Sequence, residues 1–240
     1  MDDISFGRSS SVYDALYEAA GKNYAAEADE LDRLIQDRRP GSRSLLDVAC
    51  GTGAHLQHLA DRYDVTGVDQ STEMLGAAAA RLPGADLVAG DMRSFDLARR
   101  FDVVTCLFSA IGYMPSPADL DTAIRTMTAH LNERGVLIVD GWVRPEAWTD
   151  PGSVQALSCH TGGTAAARVV RSRRTGTRTT LELHFLIGTV HGVDYLTEVH
   201  ELTLFEDQQY RAAFERAGLT VDVVPSPHPD RDRYVGLRGT

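Results

Sequence analysis

Lysine is almost missing from this chain. Of 24 basic residues in 240, Lys22 is the one lysine and the rest are arginine, a bias that reads as GC-rich coding rather than a binding requirement. Basic tracts are scarce as well. Beyond Arg171-Ser172-Arg173-Arg174, expected as a solvated strand or turn, there is none, and the net charge is −10. Nucleic acid is therefore a poor partner. No run approaches the roughly 18 apolar residues of a membrane span, and the opening residues lack the charged-then-apolar pattern of an export signal. The expectation is a cytoplasmic protein that does not enter a membrane. Cysteine is sparse and odd in number: Cys50, Cys106 and Cys159, the first two in apolar runs. Reduced thiols are expected, not a disulfide framework. Metal-ligand spacing is missing too. His55 and His58 lie three apart on an expected helix, but no carboxylate or cysteine pattern joins them, so a solvated face is expected and no metal. No Ser/His/Asp order suggests acyl transfer.

What is present is enough apolar residue, 43%, for one α/β domain that buries about three-quarters of its unfolded surface. Residues 10–38 carry apolar positions at helix period, broken near Gly21-Lys22-Asn23. A strand at 44–49 and a helix at 53–62 follow, then a strand at 65–69 and a helix from Ser71, whose hydroxyl suits an N-cap. Further strands are expected at 86–89, 101–107 and 135–140, with a helix over 117–131 before the last. From 154 to 204 the pattern becomes alternating, with turn signals at Gly162-Gly163, Thr175-Gly176 and His191-Gly192. Three or four antiparallel strands are expected there, an insertion suited to walling a pocket. A helix at 207–214, stopped by Gly218, and strands at 219–224 and 234–237 complete the chain. The expected fold is a doubly wound Rossmann-like sheet with an antiparallel insertion after strand five. Residues 1–150 would form the core with a helical cap, 151–205 the insertion, and 206–240 the closing helix and strands.

The most informative segment is Ser44-Leu45-Leu46-Asp47-Val48-Ala49-Cys50-Gly51-Thr52-Gly53. An apolar strand carrying an acid runs into a glycine turn that opens a helix, and Val65-Thr66-Gly67-Val68 ends in Asp69 about twenty residues on. This is a βαβ nucleotide cradle, in which glycines let backbone approach the ligand and the late carboxylate takes the ribose hydroxyls. A dinucleotide fingerprint wants a third small residue where this chain has Leu56, and a pyrophosphate has no use for an anion at Asp47. A ligand bearing an ammonium does. The segment, with Gly90-Asp91-Met92 after the third strand, resembles the class I S-adenosylmethionine (SAM) methyltransferases. That resemblance implies SAM as cofactor. Backbone amides around Ala49, Gly51 and Gly53, with those at the start of the following helix, would hold its carboxylate, Asp47 its amino group, and Asp69 its ribose. Asp91 and Met92 would meet the adenine and Leu107 the methionine arm.

The match narrows at Val12-Tyr13-Asp14, Gly21-Lys22-Asn23-Tyr24-Ala25-Ala26-Glu27, Phe108-Ser109-Ala110-Ile111-Gly112-Tyr113, Leu202-Thr203-Leu204-Phe205 and Arg231…Tyr234-Val235-Gly236. With these, nearly the whole chain resembles the TDP-aminosugar N,N-dimethyltransferases of the desosamine and mycaminose type. By that resemblance Tyr13 and Tyr24 close over SAM, and Tyr113 lies by the reacting amine as the catalytic residue. Arg231 meets the nucleotide diphosphate and Trp142 lines the substrate. The substrate would be a nucleotide-linked aminosugar of antibiotic biosynthesis, and a homodimer is the assembly to test. Three segments depart from the family pattern. Asp140-Gly141-Trp142-Val143-Arg144-Pro145-Glu146 replaces an aromatic-rich run, Val170-Arg171-Ser172 replaces Ser-His-Ser, and Ser226-Pro227-His228-Pro229-Asp230-Arg231-Asp232 replaces a glycine-rich loop. All fall where the acceptor would lie, which leaves open a SAM-dependent O- or N-methyltransferase of another small natural product. A nucleotide-binding module or NAD-dependent oxidoreductase stands behind both.

Overall fold

The computed structural model describes residues 9–149 and 152–239. Helices α1 (Ser10–Ala19) and α2 (Tyr24–Arg38) come first, parted by Gly21 at φ 95°, and the Asn23 side chain caps α2 by accepting from the Ala26 amide. The core alternates β1 (Ser44–Val48), α3 (Ala54–Leu59), β2 (Asp64–Asp69), α4 (Thr72–Arg81), β3 (Asp86–Ala89) and β4 (Phe101–Cys106). A 3-10 turn at Ala110–Tyr113, α5 (Pro117–Ala129) and β5 (Leu131–Asp140) follow. Next come the insertion strands β6 (Val154–Thr161), β7 (Thr164–Thr175), β8 (Arg178–Thr189) and β9 (Gly192–Thr203). Finally α6 (Asp207–Arg216), β10 (Leu219–Pro225) and β11 (Asp232–Arg238) close the main sheet.

That sheet has the order β10-β11-β5-β4-β1-β2-β3, and only β11 runs against its neighbours. The chain steps outward from β1 through β2 to β3, then returns to place β4 on the other side of β1. The β1/β4 junction is thus the switch point, where the carboxyl ends of strands open a crevice. Adjacent residues on each strand feed opposite layers. Leu46, Val104 and Leu137 join α5 and α6 in one core, whereas Leu45, Val103 and Ile138 join α2 and α3 in the other. Burial on both faces is why these strands read as unbroken apolar runs. No helix among the described residues is long and apolar enough to cross a membrane.

The insertion forms a separate four-stranded antiparallel sheet, β6-β7-β8-β9. Its inner face buries Ala166, Leu183, Phe185 and Ile187 against Val12 and Leu16 of α1. Ser71 caps α4 as expected, accepting from the Met74 amide at 3.2 Å. Some expected boundaries move. The helix expected over 53–62 is the shorter α3, and the one expected to 131 ends at Ala129, with β5 beginning at Leu131. Leu131 pairs opposite Phe101, and a bulge with Arg134 at φ 59° carries the strand to Val136. Burial of Leu131 in the core draws it out of the helix.

Candidate active site

Three loops meet at the carboxyl ends of β1, β2 and β4. After β1 the backbone turns through left-handed conformations at Ala49, Gly51 and Gly53, with φ 59°, 56° and 71°. A side chain at Gly53 would be both strained by the left-handed backbone and crowded, since an added Cβ would lie 3.1–3.2 Å from Leu82 and Ala78. Leu56, where a dinucleotide site wants a small residue, is fully buried core. Three amides of this turn serve the protein itself. Cys50 N–H donates to the Val68 carbonyl at 3.1 Å, Gly53 N–H to the Cys50 carbonyl at 3.0 Å, and Gly51 N–H to Asp69 Oδ2 at 2.7 Å. The glycines therefore shape the crevice, and the amides of Gly51 and Gly53 are engaged within the fold.

Asp47 is buried beneath the turn, with Thr105 Oγ1 donating to its Oδ1 at 2.7 Å. Burial outweighs that bond and raises its pKa to about 7, aided by repulsion from Asp69 and Asp140. This acid would be relieved by an incoming cation. Asp69 accepts from Gly51 N–H and, at 2.9 Å, from Ser71 N–H, one bond per oxygen. Burial holds its pKa above the ordinary value, and each oxygen keeps a lone pair for a ligand hydroxyl. Asp91 is gripped by Arg93, whose Nη2 and Nε donate at 2.6 and 3.0 Å, and Arg93 reaches on to Asp119. The arginine bonds hold the Asp91 pKa below its usual value against some burial. Met92 packs on the core nearby, and Leu107 is buried at the end of β4.

The helical cap is tied directly to this turn. Asp14 of α1 accepts from Thr52 Oγ1 at 2.8–2.9 Å, from Arg81 Nη2 at 2.6 Å and from the Tyr24 hydroxyl at 3.3 Å. Tyr24 is buried edge-on to His55, whereas Tyr13 is half-buried beside Tyr17, 4.9 Å between centroids. His55 does not face solvent as the sequence suggested. It lies 2.9 Å from Glu27, which also accepts from Lys22 at 2.7 Å. Burial works against ionisation of Glu27, but bonds from His55 and Lys22 outweigh it and hold its pKa at about 2. Lys22 sits 3.9 Å above the Phe108 ring, so the rare lysine is a buried part of the crevice wall.

The acceptor side is built from the turn after β4, the insertion and the loop before β11. Phe108 and Ser109 both take positive φ, 53° and 66°. Their backbone is pinned by Asp140, which accepts from the Phe108 amide, and by Ser109 Oγ donating to the Gly141 carbonyl at 2.6 Å. Gly112 lies so close to Trp142 that a Cβ would meet it at 2.9 Å. Trp142 Nε1 donates to Thr179 at 3.2 Å, and the Arg231 guanidinium stacks 4.6 Å from its ring while donating to Ser109 Oγ. Arg231 thus turns inward. Arg144 instead clips the loop before β11 through Asp232 and the Pro229 carbonyl, and Arg171 stays exposed with Glu182.

Tyr113 projects from the 3-10 turn onto β9. Its hydroxyl lies 2.9 Å from His200 Nδ1, and His200 Nε2 lies 3.2 Å from Glu198 Oε2. Both β9 residues are buried, and Glu198 Oε1 has no partner among the described residues. Burial keeps the Tyr113 phenol well above its ordinary pKa, so it is protonated at neutral pH. Neither His200 nor Glu198 was singled out from sequence. The available signal was two ionisable residues in step with Leu196 and Leu202 on one face of a strand. Among the described residues no group of three or more metal-ligating side chains forms.

A methyltransferase-domain family model matches residues 45–135, which span β1 to the bulge of β5. The chain is 43% identical over 235 residues, 97% of its length and 92% of the relative's, to the dTDP-3-amino-3,6-dideoxy-alpha-D-glucopyranose N,N-dimethyltransferase of Streptomyces fradiae. Among solved structures, Streptomyces venezuelae DesVI superposes with a TM-score of 0.90 at 40% identity, over 95% of this chain and 98% of that one. SAM-bound CalS10, an amino pentose methyltransferase from Micromonospora echinaspora involved in calicheamicin biosynthesis, gives 0.84 at 38% identity over 99% of both chains. The chain therefore belongs to the methyltransferase family, in the branch of the dTDP-aminosugar N,N-dimethyltransferases.

Proposed function

We propose that this enzyme transfers methyl groups from SAM to the amine of a nucleotide-linked aminodeoxysugar, twice in succession. The observation that carries the reading is the Tyr113–His200–Glu198 chain, set where the strand edge faces the insertion. It supplies hydrogen-bonding control of an amine without a strong base. SAM contributes a methyl on a sulfonium, an already activated donor. The residues fit it. Asp47, a buried acid without a counter-cation among the described residues, suits its ammonium. Asp69 suits the ribose diol, Asp91 and Met92 the adenine, and Leu107 the methionine arm. With the Gly51 and Gly53 amides engaged internally, we assign the carboxylate to Lys22. Tyr13 and Tyr24 cover the site from the cap.

The work left to the protein is placement of a neutral amine in line with the methyl carbon, a contribution of roughly 7–11 kcal/mol. With His200 Nε2–H directed at Glu198, Nδ1 is the acceptor and Tyr113 donates to it. This leaves the phenol oxygen to accept an amine N–H and aim the nitrogen lone pair. After transfer, the ammonium proton passes to the Tyr113 oxygen while the phenol proton moves to His200 Nδ1, which readies the amine for a second methyl. Trp142 and Arg231 border the acceptor. Residues 1–150 hold the cofactor, 151–205 wall the acceptor and 206–240 complete the sheet. Incubation with SAM and TDP-linked aminosugars, read by product mass, should show two methyl groups added. Turnover only on unrelated amines or hydroxyls would overturn the reading.

Three free cysteines without a disulfide suit a reducing cytoplasm. We also infer a homodimer through the outer face of the insertion sheet, where Val154, Leu186, Tyr195 and Val199 are 71, 52, 60 and 59% exposed. An apolar patch of this kind marks an interface. Sedimentation of Val199→Glu should show monomer where the parent protein is dimeric, and a monomeric parent would refute it.

A further inference from the structure

Carboxylates inside this fold are well supplied with donors. Asp140 accepts from Arg233 and from the Phe108 amide, Asp69 from two backbone amides, and Glu27 is held by Lys22 and His55. Glu198 of β9 departs from this pattern. Among the described residues its Oε1 is the one buried carboxylate oxygen with no hydrogen bond. The other oxygen meets only His200 Nε2, at 3.2 Å, and no arginine or lysine among the described residues pairs with the group. An acceptor buried without a donor is costly and calls for an explanation. The neighbouring positions cannot supply the donor. Across the sheet Glu198 stands opposite Leu183, which stands opposite Val170. Along its own strand the same face presents Leu196 and His200.

His200 ties this carboxylate to Tyr113, whose hydroxyl lies 2.9 Å from Nδ1. The imidazole thus spans the gap between Glu198 and the phenol oxygen that takes the amine. An amine and a hydroxyl on adjacent carbons stand about one hydrogen-bond length apart. Such a pair spans the same gap beside the imidazole, with the amine N–H on the phenol oxygen and the hydroxyl on Glu198 Oε1. The ring carbon next to the amine can lie on either side of it. On one side is the route to the anomeric carbon and its diphosphate, which a carboxylate repels. The hydroxyl therefore belongs on the opposite side.

We propose that Glu198 determines which acceptor is used, by accepting a hydrogen bond from a hydroxyl beside the amine and away from the anomeric carbon. In a 3-aminosugar this is the hydroxyl at C4. The inference rests on the aminosugar reading above. Oε1 gains its donor when the hydroxylated sugar binds, whereas a 4-deoxy sugar brings none. Selection of this kind is strong because the wrong ligand leaves a buried polar group of the site unpaired.

The test compares kcat/KM for TDP-linked 3-amino-3,6-dideoxyglucose and its 4-deoxy counterpart in the parent protein, Glu198→Gln, Glu198→Leu and His200→Ala. The parent should prefer the hydroxylated sugar by at least about tenfold, the effect of one hydrogen bond to a charged group. Glutamine keeps an oxygen but not the charge and should shrink that preference, and leucine should abolish it. His200→Ala should slow both sugars alike and leave the preference in place, which separates selection from proton relay. Each readout is a ratio within one protein, so a general loss of activity cancels. Should leucine not be tolerated, Glu198→Gln decides. Equal use of both sugars by the parent overturns the assignment. So does a preference unchanged in the Glu198 variants, or one that disappears in His200→Ala. If the parent binds S-adenosylhomocysteine but methylates neither sugar, the aminosugar reading itself fails.

Discussion

Replacing Asp47 by asparagine should remove a pH-dependent strain that the ligand-free enzyme carries. Asp47 is 3% exposed, and burial, only partly offset by Thr105, lifts its pKa from 3.8 to about 7. The sign follows from linkage. Well below pH 3.8 the carboxyl is protonated in folded and unfolded chains alike and contributes nothing through ionisation. As pH rises through 3.8 the unfolded chain loses its proton while the folded one keeps it, so stability falls until about pH 7, where the folded carboxyl also ionises. At about 1.36 kcal/mol per pH unit the ceiling is about 4 kcal/mol, and relaxation around the charge brings the expected loss to about 2–4 kcal/mol. Asparagine never ionises. Whatever constant cost the substitution carries, the stability of Asp47→Asn minus that of the parent should rise by about this amount between ~pH 4 and ~pH 8. Urea denaturation across that range, without ligand, measures it. The cofactor's ammonium should pull the parent's Asp47 toward its charged form. Binding of S-adenosylhomocysteine near pH 7 should therefore release protons, detectable by calorimetry in buffers of different ionisation enthalpy, and the variant should neither release them nor bind tightly. A difference in stability that is flat with pH would refute the reasoning.

His200→Ala should lower kcat about tenfold to a hundredfold, the low end for acid–base assistance, with little change in KM and an altered pH profile. If Tyr113→Phe leaves turnover unchanged across pH, the phenol has no proton role. Lys22→Met should weaken S-adenosylhomocysteine binding about tenfold, as loss of a charge-assisted bond would. Methylthioadenosine, which lacks the amino-acid end, should bind as before, and equal losses for both ligands would remove Lys22 from carboxylate recognition. Arg81→Met leaves Asp14 without its cation and should destabilise the cap by about 1–3 kcal/mol. Hydrogen exchange in α1 should accelerate accordingly, and unchanged protection would show that the latch does not hold the cap.

The sheet and the cofactor side were legible because their constraints are local. Strands buried on both faces must be apolar throughout, a cap at Ser71 needs only its own helix, and a left-handed turn ending at Gly53 needs glycine. The residues that were missed owe their roles to partners far away in sequence. His55 looks like half of a solvated pair until α2 lays Glu27 against it. Lys22 looks like a compositional accident until the turn after β4 brings Phe108 beneath it. The glycine amides likewise take partners that the sequence does not display. From sequence they are free donors, but folding gives that of Gly51 to Asp69 and that of Gly53 to Cys50.

The insertion was the hardest part to interpret because its alternation cannot say which face is which. On β9 the inward positions include Glu198 and His200, while the outward ones include Val193, Tyr195 and Val199. β7 likewise turns Arg168 inward and leaves Val169 outside. A rule that sends apolar residues in and charges out would have flipped both strands. What fixes the true orientation is β8, whose Leu183, Phe185 and Ile187 have α1 to pack against, and register then carries β7 and β9 with it. One strand thus does the folding, and its two neighbours are free to line a polar site on one side and offer an apolar surface on the other. On this view Phe185→Ala should disturb stability and the acceptor site together, whereas changes at Val199 should touch assembly alone.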